Sequence, residues 1–164
     1  MKTERLLLRR WEESDLDAAR AIYADPEVMR YIPVGPMSDE QIVRIMDRMN
    51  GEFEDRGYGL WAVVEAATAE VVGESGLHYL PQTDEVEIAW LYRVSAWGKG
   101  FATEAARAIL QSAWREHALE RVICLIDARN ERSLAVASRL GMHYRGIGRY
   151  YDRDLNVYDL HAAR

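Results

Sequence analysis

The sequence predicts an α+β fold built on a mixed, mostly antiparallel central sheet with about four helices. Strand-like and helix-like segments follow one another in the order β-α-α-β-β-β-α-β-α-β-β. Short turns join three successive strands in the middle of the chain, which is typical of an antiparallel meander. The later segment 122–126 is continuously apolar, as expected for a strand that is covered on both faces.

Length and composition fit one domain over residues 1–164. The chain is 49% hydrophobic and 29% charged, with a formal net charge of −6 at pH 7. Such a composition is globular, and the negative charge argues against nucleic acid as a main partner, because a phosphate backbone needs a basic surface. A cationic amine substrate is compatible with that charge.

The sequence shows no pattern of a targeting or membrane segment. Charged residues occupy positions 2, 4 and 5, where a signal peptide needs an apolar core, and no apolar run approaches the length that spans a bilayer. Cys124 is the single cysteine and lies within an apolar run, where we expect a buried, inert thiol. We therefore expect a cytoplasmic protein with no membrane partner.

The elements follow from periodicity and from breaking residues. Residues 5–9 predict the first strand, Ser14 or Asp15 can cap the first helix, and Ser38 opens the second. The meander comprises residues 60–64, 71–79 and 85–92. The C-terminal part comprises a helix at about 99–117, the strand 122–126, a helix closed by Gly141, and strands at 142–151 and 155–160.

A glycine-containing turn, residues 95–105, joins the fourth strand to the third helix. Gly98 and Gly100 lack a Cβ, and the turn directs free N–H groups of a helix N-terminus outward, which suits a phosphate or pyrophosphate. The P-loop spacing is absent, and Thr103 replaces the third glycine or alanine of the dinucleotide fingerprint. A plain surface turn that caps a helix is the alternative.

Four stretches of the sequence resemble the GNAT acetyltransferases, and more closely their RimJ/RimL-like branch. These stretches are the opening strand, the link between the first two helices, the acyl-CoA loop and the closing helix: residues 3–9, 25–31, 97–105, and 130–133 with 140–142. The resemblance implies the GNAT fold and an N-acetyltransferase that uses acetyl-CoA, without a metal, on a primary amine. Homodimers are common in that branch.

The resemblance leaves the acceptor open. A protein or peptide N-terminus is the first candidate, because the branch includes N-terminal acetyltransferases of ribosomal proteins. Small amines, such as amino acids, polyamines or amine antibiotics, are alternatives, since a fold does not determine a substrate. An acyl-CoA-binding module without catalysis is the alternative from another class.

The resemblance also assigns the residues of the donor site. A splay between the fourth and fifth strands would admit the acyl-CoA arm, and backbone groups near Leu91 and Arg93 would contact pantetheine. The pyrophosphate would lie against the segment Trp97, Gly98, Lys99, Gly100, Phe101, Ala102 and Thr103. Asn130 would bond to pantetheine, although an asparagine that precedes a helix is also a typical N-cap.

Glu87 is our predicted general base, because it lies in the middle of the fourth strand on the face opposite Ile88. A surface carboxylate is the alternative, and Glu85, Glu74 and His78 are weaker candidates. In many GNAT members the general acid is a tyrosine seven residues after the asparagine that corresponds to Asn130. In this sequence that position is occupied by Ala137. Ser133 is the predicted donor to the leaving sulfur, with Tyr144 in reserve.

Overall fold

The computed structural model describes residues 1–163, and within that range the chain forms seven strands and four α-helices. Strands and helices occur in the predicted order. The strands are β1 (Leu6–Arg9), β2 (Leu60–Glu65), β3 (Glu70–Leu80), β4 (Glu85–Tyr92), β5 (Arg121–Ile126), β6 (His143–Tyr150) and β7 (Arg153–His161). The helices are α1 (Leu16–Tyr23), α2 (Asp39–Arg56), α3 (Phe101–Arg115) and α4 (Glu131–Leu140).

The strands form one sheet in the order β1-β2-β3-β4-β5-β7-β6. All neighbouring strands are antiparallel except β4 and β5, which are parallel and pair at a single position, Glu87 with Ile123. The two strands therefore lack ladder hydrogen bonds along most of their length, which leaves backbone groups of both edges free. The predicted mixed, mostly antiparallel sheet is confirmed.

Helices cover both faces of the sheet. On one face, α3 contributes Phe101, Ala105 and Ile109 to a core that includes Leu6 and Ile88. On the other face, α1 and α2 pack on β2 and β3 through a second core, whose most buried members include Ile22, Met29, Ile42 and Met49. The sheet thus separates the α3–α4 layer from the α1–α2 layer.

Local sequence signals define the helix ends. Ser38 begins α2 with a capping box, in which its hydroxyl accepts from Gln41 N while the Gln41 side chain accepts from Ser38 N. Gly57 and Gly141 end α2 and α4 in the left-handed conformation. Of the two predicted caps, Ser14 and Asp15, Asp15 occupies the N-cap position of α1, but its side chain makes no capping bond, because the carboxylate binds Arg9 and the N–H of Glu12 instead.

No helix among residues 1–163 combines the length and the apolar character that crossing a lipid bilayer requires.

Candidate active site

The predicted glycine turn has the backbone geometry of an anion-binding cradle. Gly98 and Gly100 adopt φ values of +74° and +81°, and α3 begins directly afterwards at Phe101. A Cβ on Gly98 would meet no atom within 4 Å, so the glycine faces open space. The first N–H groups of α3 have no acceptor one turn earlier and lie at the positive end of the helix dipole. Phosphate oxygens fit this cradle.

Contacts from the N-terminal segment that precedes β1 hold the cradle in place. Arg5 Nη1 donates to the carbonyl of Lys99 at 2.9 Å, and its Nε donates to Glu104 Oε2 at 2.7 Å. Glu104 Oε1 also accepts from the hydroxyl of Thr3 at 2.6 Å. These bonds lower the pKa of Glu104 against the cost of its burial. Glu104 therefore stabilises the first turn of α3 and its junction with β1.

Cationic side chains surround the cradle. The Arg132 guanidinium lies 3.9 Å from the centroid of the Trp97 ring, and Trp97 Nε1 donates to the carbonyl of Tyr92 at 2.8 Å. Lys99 is half-exposed, with its ammonium 3.9 Å from Glu65. Positive charge beside free N–H groups makes this region favourable for a ligand with several phosphates.

A cavity of about 1110 Å³ extends from this cradle to the gap between β4 and β5. The sequence-predicted donor-site residues that line it are Leu91, Trp97, Gly98, Lys99, Gly100, Phe101, Ala102, Thr103, Asn130 and Ser133. The predicted contact between Arg93 and pantetheine is corrected by the structure, because Arg93 lies outside this lining. Its N–H donates to the carbonyl of Val72 at 3.1 Å and its guanidinium pairs with Glu70, so neither group is free for pantetheine.

A second cavity of about 740 Å³ opens on the α1–α2 side of the sheet. Both cavities include Tyr31, Trp90, Leu91, Asn130 and Ser133 in their linings, so they meet at the gap between β4 and β5. We call the first the donor cavity and the second the acceptor cavity. A ligand bound at the cradle could therefore present a reactive end to a molecule in the acceptor cavity.

Glu87 lines the acceptor cavity and is 8% exposed. The alternative interpretation, a surface carboxylate, is therefore wrong. Burial raises the pKa of Glu87 to about 7, although the Tyr151 hydroxyl, which donates to Glu87 Oε2 at 2.9 Å, and the charge of His78 act in the opposite direction. A carboxylate with such a pKa is poised to take a proton near neutral pH.

Glu74 is a second buried carboxylate in the same cavity. Burial raises its pKa to about 7, against the hydrogen bond that it accepts from the Tyr23 hydroxyl. His78 lies opposite Glu87 in the β3–β4 register. Its Nδ1 is 2.9 Å from Glu52 Oε1, close enough for an ion pair although the ring is not turned for a good hydrogen bond. Of the weaker candidates, His78 thus lies beside Glu87, whereas Glu74 lines the same cavity opposite Leu91, four residues farther along β4.

Glu85 differs from Glu87 and Glu74 in its hydrogen-bond and ion-pair partners. Its carboxylate accepts from the Tyr150 hydroxyl at 2.6 Å and pairs with Arg121 at 2.8 Å. These bonds lower the pKa of Glu85 despite partial burial. A carboxylate that is already engaged and acidic is a poor base, so Glu85 has a structural place at the start of β4.

Ser133 and Asn130 lie where the two cavities meet. Asn130 Oδ1 accepts from Ser133 N at 3.2 Å, which is the N-cap arrangement that its position predicts. Ser133 Oγ accepts from Trp90 Nε1 at 3.3 Å, which leaves its hydroxyl proton free to donate into the junction. Tyr144, the reserve candidate, is 54% exposed and lies outside both cavity linings.

Cys124 is buried and also lines the acceptor cavity. Burial, with the nearby Glu87 charge as the smaller cause, raises its pKa well above the ordinary value. The thiol is therefore protonated at neutral pH and a weak nucleophile, as the sequence predicts.

Residues 5–143 match the family model described as "Acetyltransferase (GNAT) domain". The chain belongs to the GNAT acetyltransferase family. It is thus an enzyme of the N-acetyltransferase class, and the predicted GNAT fold is confirmed. GNAT acetyltransferases take the acetyl group from acetyl-CoA and transfer it to an amine, which fits the phosphate cradle and the two joined cavities.

Relatives and solved structures agree with the GNAT assignment. The chain is 32% identical to the Bacillus subtilis protein YkkB, over 96% of this chain and 92% of the relative. It is 29% identical to the Bacillus licheniformis N-acetyltransferase p20, over 92% and 86%. An acetyltransferase from Agrobacterium tumefaciens superimposes with a TM-score of 0.89 at 27% identity, over 99% and 94%.

Proposed function

We propose that this GNAT enzyme acetylates an α-amino group, with Glu87 as the general base. The observation that carries the proposal is a buried carboxylate with a pKa of about 7, in a cavity that meets the donor cavity at the gap between β4 and β5. Acetyl-CoA, when bound, supplies an activated acetyl thioester. Residues 98–103 would hold its pyrophosphate, and the edge of β4 near Leu91 would pair with pantetheine amides.

An α-amino group matches Glu87 better than a lysine-type amine does. In model peptides the pKa of an α-amino group is about 7.7–8.0 and that of a lysine amine about 10.4. A base with a pKa of about 7 takes a proton from the first with a small free-energy cost and from the second with a larger one. In this proposal Glu87 accepts the proton that the amine nitrogen must lose.

Ser133 is the proposed donor to the leaving sulfur. Trp90 donates to its oxygen, which orients the hydroxyl so that its own proton is free for an acceptor in the junction of the cavities. An alcohol is a weak acid, so its contribution is a hydrogen bond to the thiolate rather than complete proton transfer. Glu87 and Ser133 thus act from the two sides of the gap.

Two kinds of acceptor carry an α-amino group. The first candidate is a protein or peptide N-terminus, to which the pKa match applies and which follows from the proposed RimJ/RimL-like branch. The second is a free amino acid, whose amine is more basic because its own carboxylate stabilises the ammonium form. The alternative from another class is an acyl-CoA-binding module without catalysis. A buried carboxylate whose pKa lies near 7 favours an enzyme, because such groups cluster at functional sites.

Steady release of thiol from acetyl-CoA tests the proposal. The purified protein would be mixed with acetyl-CoA and a panel of peptides, amino acids and diamines, with mass spectrometry of the products. We expect turnover with α-amines, and association of CoA by calorimetry. CoA association without turnover on any amine would favour the binding module, and absence of CoA association would contradict the proposal altogether.

A further inference from the structure

One helix face supplies a wall of the acceptor cavity. Gln41, Arg44, Ile45 and Arg48 of α2 line it, and their spacing of three, four and seven residues places them on one stripe of the helix. Two arginines on that stripe bring positive charge to a cavity whose opposite wall carries Glu74 and Glu87. Such a cavity has a cationic wall and an acidic wall.

The two arginines differ in what they bind. Arg44 donates through Nε to the carbonyl of Glu40 at 3.1 Å, and its Nη2 lies 3.6 Å from the Glu40 carboxylate. The Arg48 guanidinium has neither an ion pair nor a hydrogen bond with any residue in the range 1–163. Arg48 therefore offers its full set of donors to a ligand in the cavity.

Arg48 lies close enough to the acidic wall to act on it. Its charge lowers the pKa of Glu74 and of Tyr151, against the larger effect of burial on each. Tyr151 is the residue that donates to Glu87. A cation thus lies within electrostatic range of Glu74 and of the tyrosine that donates to the proposed base.

The remaining acids of the cavity leave Arg48 available. Asp127 pairs with Arg129 at 2.7 Å, which lowers the pKa of Asp127 to about 2. Asp152 is exposed at the tip of the β6–β7 hairpin. An amine without a second charge would satisfy the acidic wall and leave the Arg48 charge unmatched.

A zwitterion matches both walls. A guanidinium holds a carboxylate through two parallel hydrogen bonds, while an amine beside that carboxylate would face Glu87. A peptide N-terminus has a neutral amide where a free amino acid has its carboxylate, so it lacks the group that Arg48 would bind. The rest of the lining is largely apolar: Met29, Ile32, Met37, Ile45, Leu125 and Leu155.

We propose that the acceptor is a free α-amino acid with an apolar side chain, whose carboxylate is bound by Arg48. This inference rests on the proposed acetyl transfer to an α-amine and names its substrate class. Arg48 then determines specificity: it holds the carboxylate so that the amino group lies toward Glu87 and the side chain lies against the apolar wall.

The test compares L-leucine with L-leucinamide, which differ in the carboxylate, as acceptors for wild type and Arg48→Gln. We expect wild type to prefer leucine, and Arg48→Gln to lower that preference about tenfold or more, the value of a charge-assisted hydrogen bond. The change should lie in the KM for leucine, while the KM for acetyl-CoA stays unchanged. Because the ratio is compared between enzymes, the different amine pKa values of the two acceptors cancel.

Arg115→Gln is the control, since Arg115 is exposed on α3 outside both cavity linings and its loss changes the net charge equally. An unchanged leucine-to-leucinamide ratio in Arg48→Gln would overturn the inference. So would turnover of leucyl peptides with the same KM in wild type and Arg48→Gln and no turnover of leucine, a result that leaves the proposed function intact.

Calorimetry with leucine in the presence of CoA separates the two proposals. Binding that Arg48→Gln abolishes, without turnover of any amine, would support Arg48 as the residue that binds the carboxylate, but it would contradict the catalytic function and therefore leucine as an acceptor. No binding of leucine and no turnover of any amine would overturn both.

Discussion

The donor cavity and the acceptor cavity are built in different ways. The donor cradle comes mainly from one continuous segment, residues 97–103, in which two glycines and a helix N-terminus provide the ligand groups through the backbone. The acceptor cavity is assembled from side chains of α2, β3, β4 and the β6–β7 hairpin, which lie far apart in the chain. The acceptor site can therefore change its substrate while the backbone of the donor site stays the same.

The pKa values of carboxylates also shift in opposite directions in the two regions. On the donor side, hydrogen bonds from Thr3 and Arg5 overcome burial and lower the pKa of Glu104. On the acceptor side, burial dominates and raises the pKa of Glu74 and of Glu87 to about 7. On the donor side the ionised carboxylate therefore stabilises the folded state, whereas on the acceptor side ionisation of the carboxylates costs free energy.

The largest expected effect comes from Glu87→Gln. General-base catalysis typically contributes about 10²- to 10⁴-fold, so we expect a loss of kcat/KM of that size at pH 8. Steady-state kinetics with acetyl-CoA and the best amine would measure it, and the KM for acetyl-CoA should not change. The control is Glu52→Gln, which removes the partner of His78 while it leaves Glu87 in place. A loss of less than about threefold would remove Glu87 as the base.

The next largest effects are changes of opposite sign in the free energy of unfolding, expected for Glu74→Gln and for Glu104→Gln. The raised pKa of Glu74 means that the folded state holds a proton that the unfolded state releases between pH 4.5 and about 7, so stability falls as pH rises through that range. Glu74→Gln should therefore increase the free energy of unfolding at pH 8 by up to about 3 kcal/mol, with no difference near pH 4.5.

Glu104→Gln is the matched variant on the donor side, with the opposite sign expected. The lowered pKa of Glu104 gives stability that is present above its unfolded pKa and is lost as pH falls through the folded value. This variant should be less stable than wild type at pH 8, and the deficit should shrink in acid. Urea titrations at both pH values measure the two variants, and changes of the same sign would contradict the contrast between the cavities.

A smaller effect is expected for Gly98→Ala in the cradle. The positive φ of Gly98 strains any L-residue by roughly 1–2 kcal/mol, so the KM for acetyl-CoA should rise up to about tenfold. Gly141→Ala is the matched control, with a φ of +77° and equally open surroundings at the end of α4. It should lower stability to a similar extent and leave the KM for acetyl-CoA unchanged, and equal effects on KM would mean that the cradle does not bind the donor.

The smallest effect is expected for Ser133→Ala. Loss of a neutral hydrogen bond costs about 0.5–1.5 kcal/mol, which corresponds to a decrease of kcat of about two- to tenfold. The KM for acetyl-CoA should stay nearly unchanged. Ser138→Ala, on the exposed side of the same helix, is the control. A kcat equal to that of wild type in Ser133→Ala would exclude the hydroxyl from the mechanism.

The contrast between the cavities explains what the sequence could predict. Gly98 and Gly100 lie in one short segment, so the order of strand, turn and helix was enough to place the cradle. The strand alternation also put Glu87 on the face opposite Ile88. The contact near Arg93 that the resemblance implies is not available to its N–H, because that group donates to the carbonyl of Val72, which belongs to another strand.

The contacts between residues of the acceptor cavity cannot be predicted from the sequence, for a physical reason. Tyr151 contacts Glu87 across 64 positions, and Tyr23 contacts Glu74 across 51. No periodicity or spacing reports such pairs, because they depend on how the hairpin and α1 close over the sheet. Arg48 is an exposed residue of α2, and only the packing of α2 against the sheet brings its stripe of the helix to the cavity.

The pH dependence of kcat/KM in wild type and Glu87→Gln tests the central claim most directly. Glu87 must be ionised to accept a proton, so wild type should lose activity as pH falls through about 7, in addition to the loss from protonation of the amine itself. Glu87→Gln should keep only the amine ionisation, and the ratio of the two enzymes should therefore change around pH 7. A ratio that stays constant from acid to alkaline pH would contradict Glu87 as the base in the acceptor cavity.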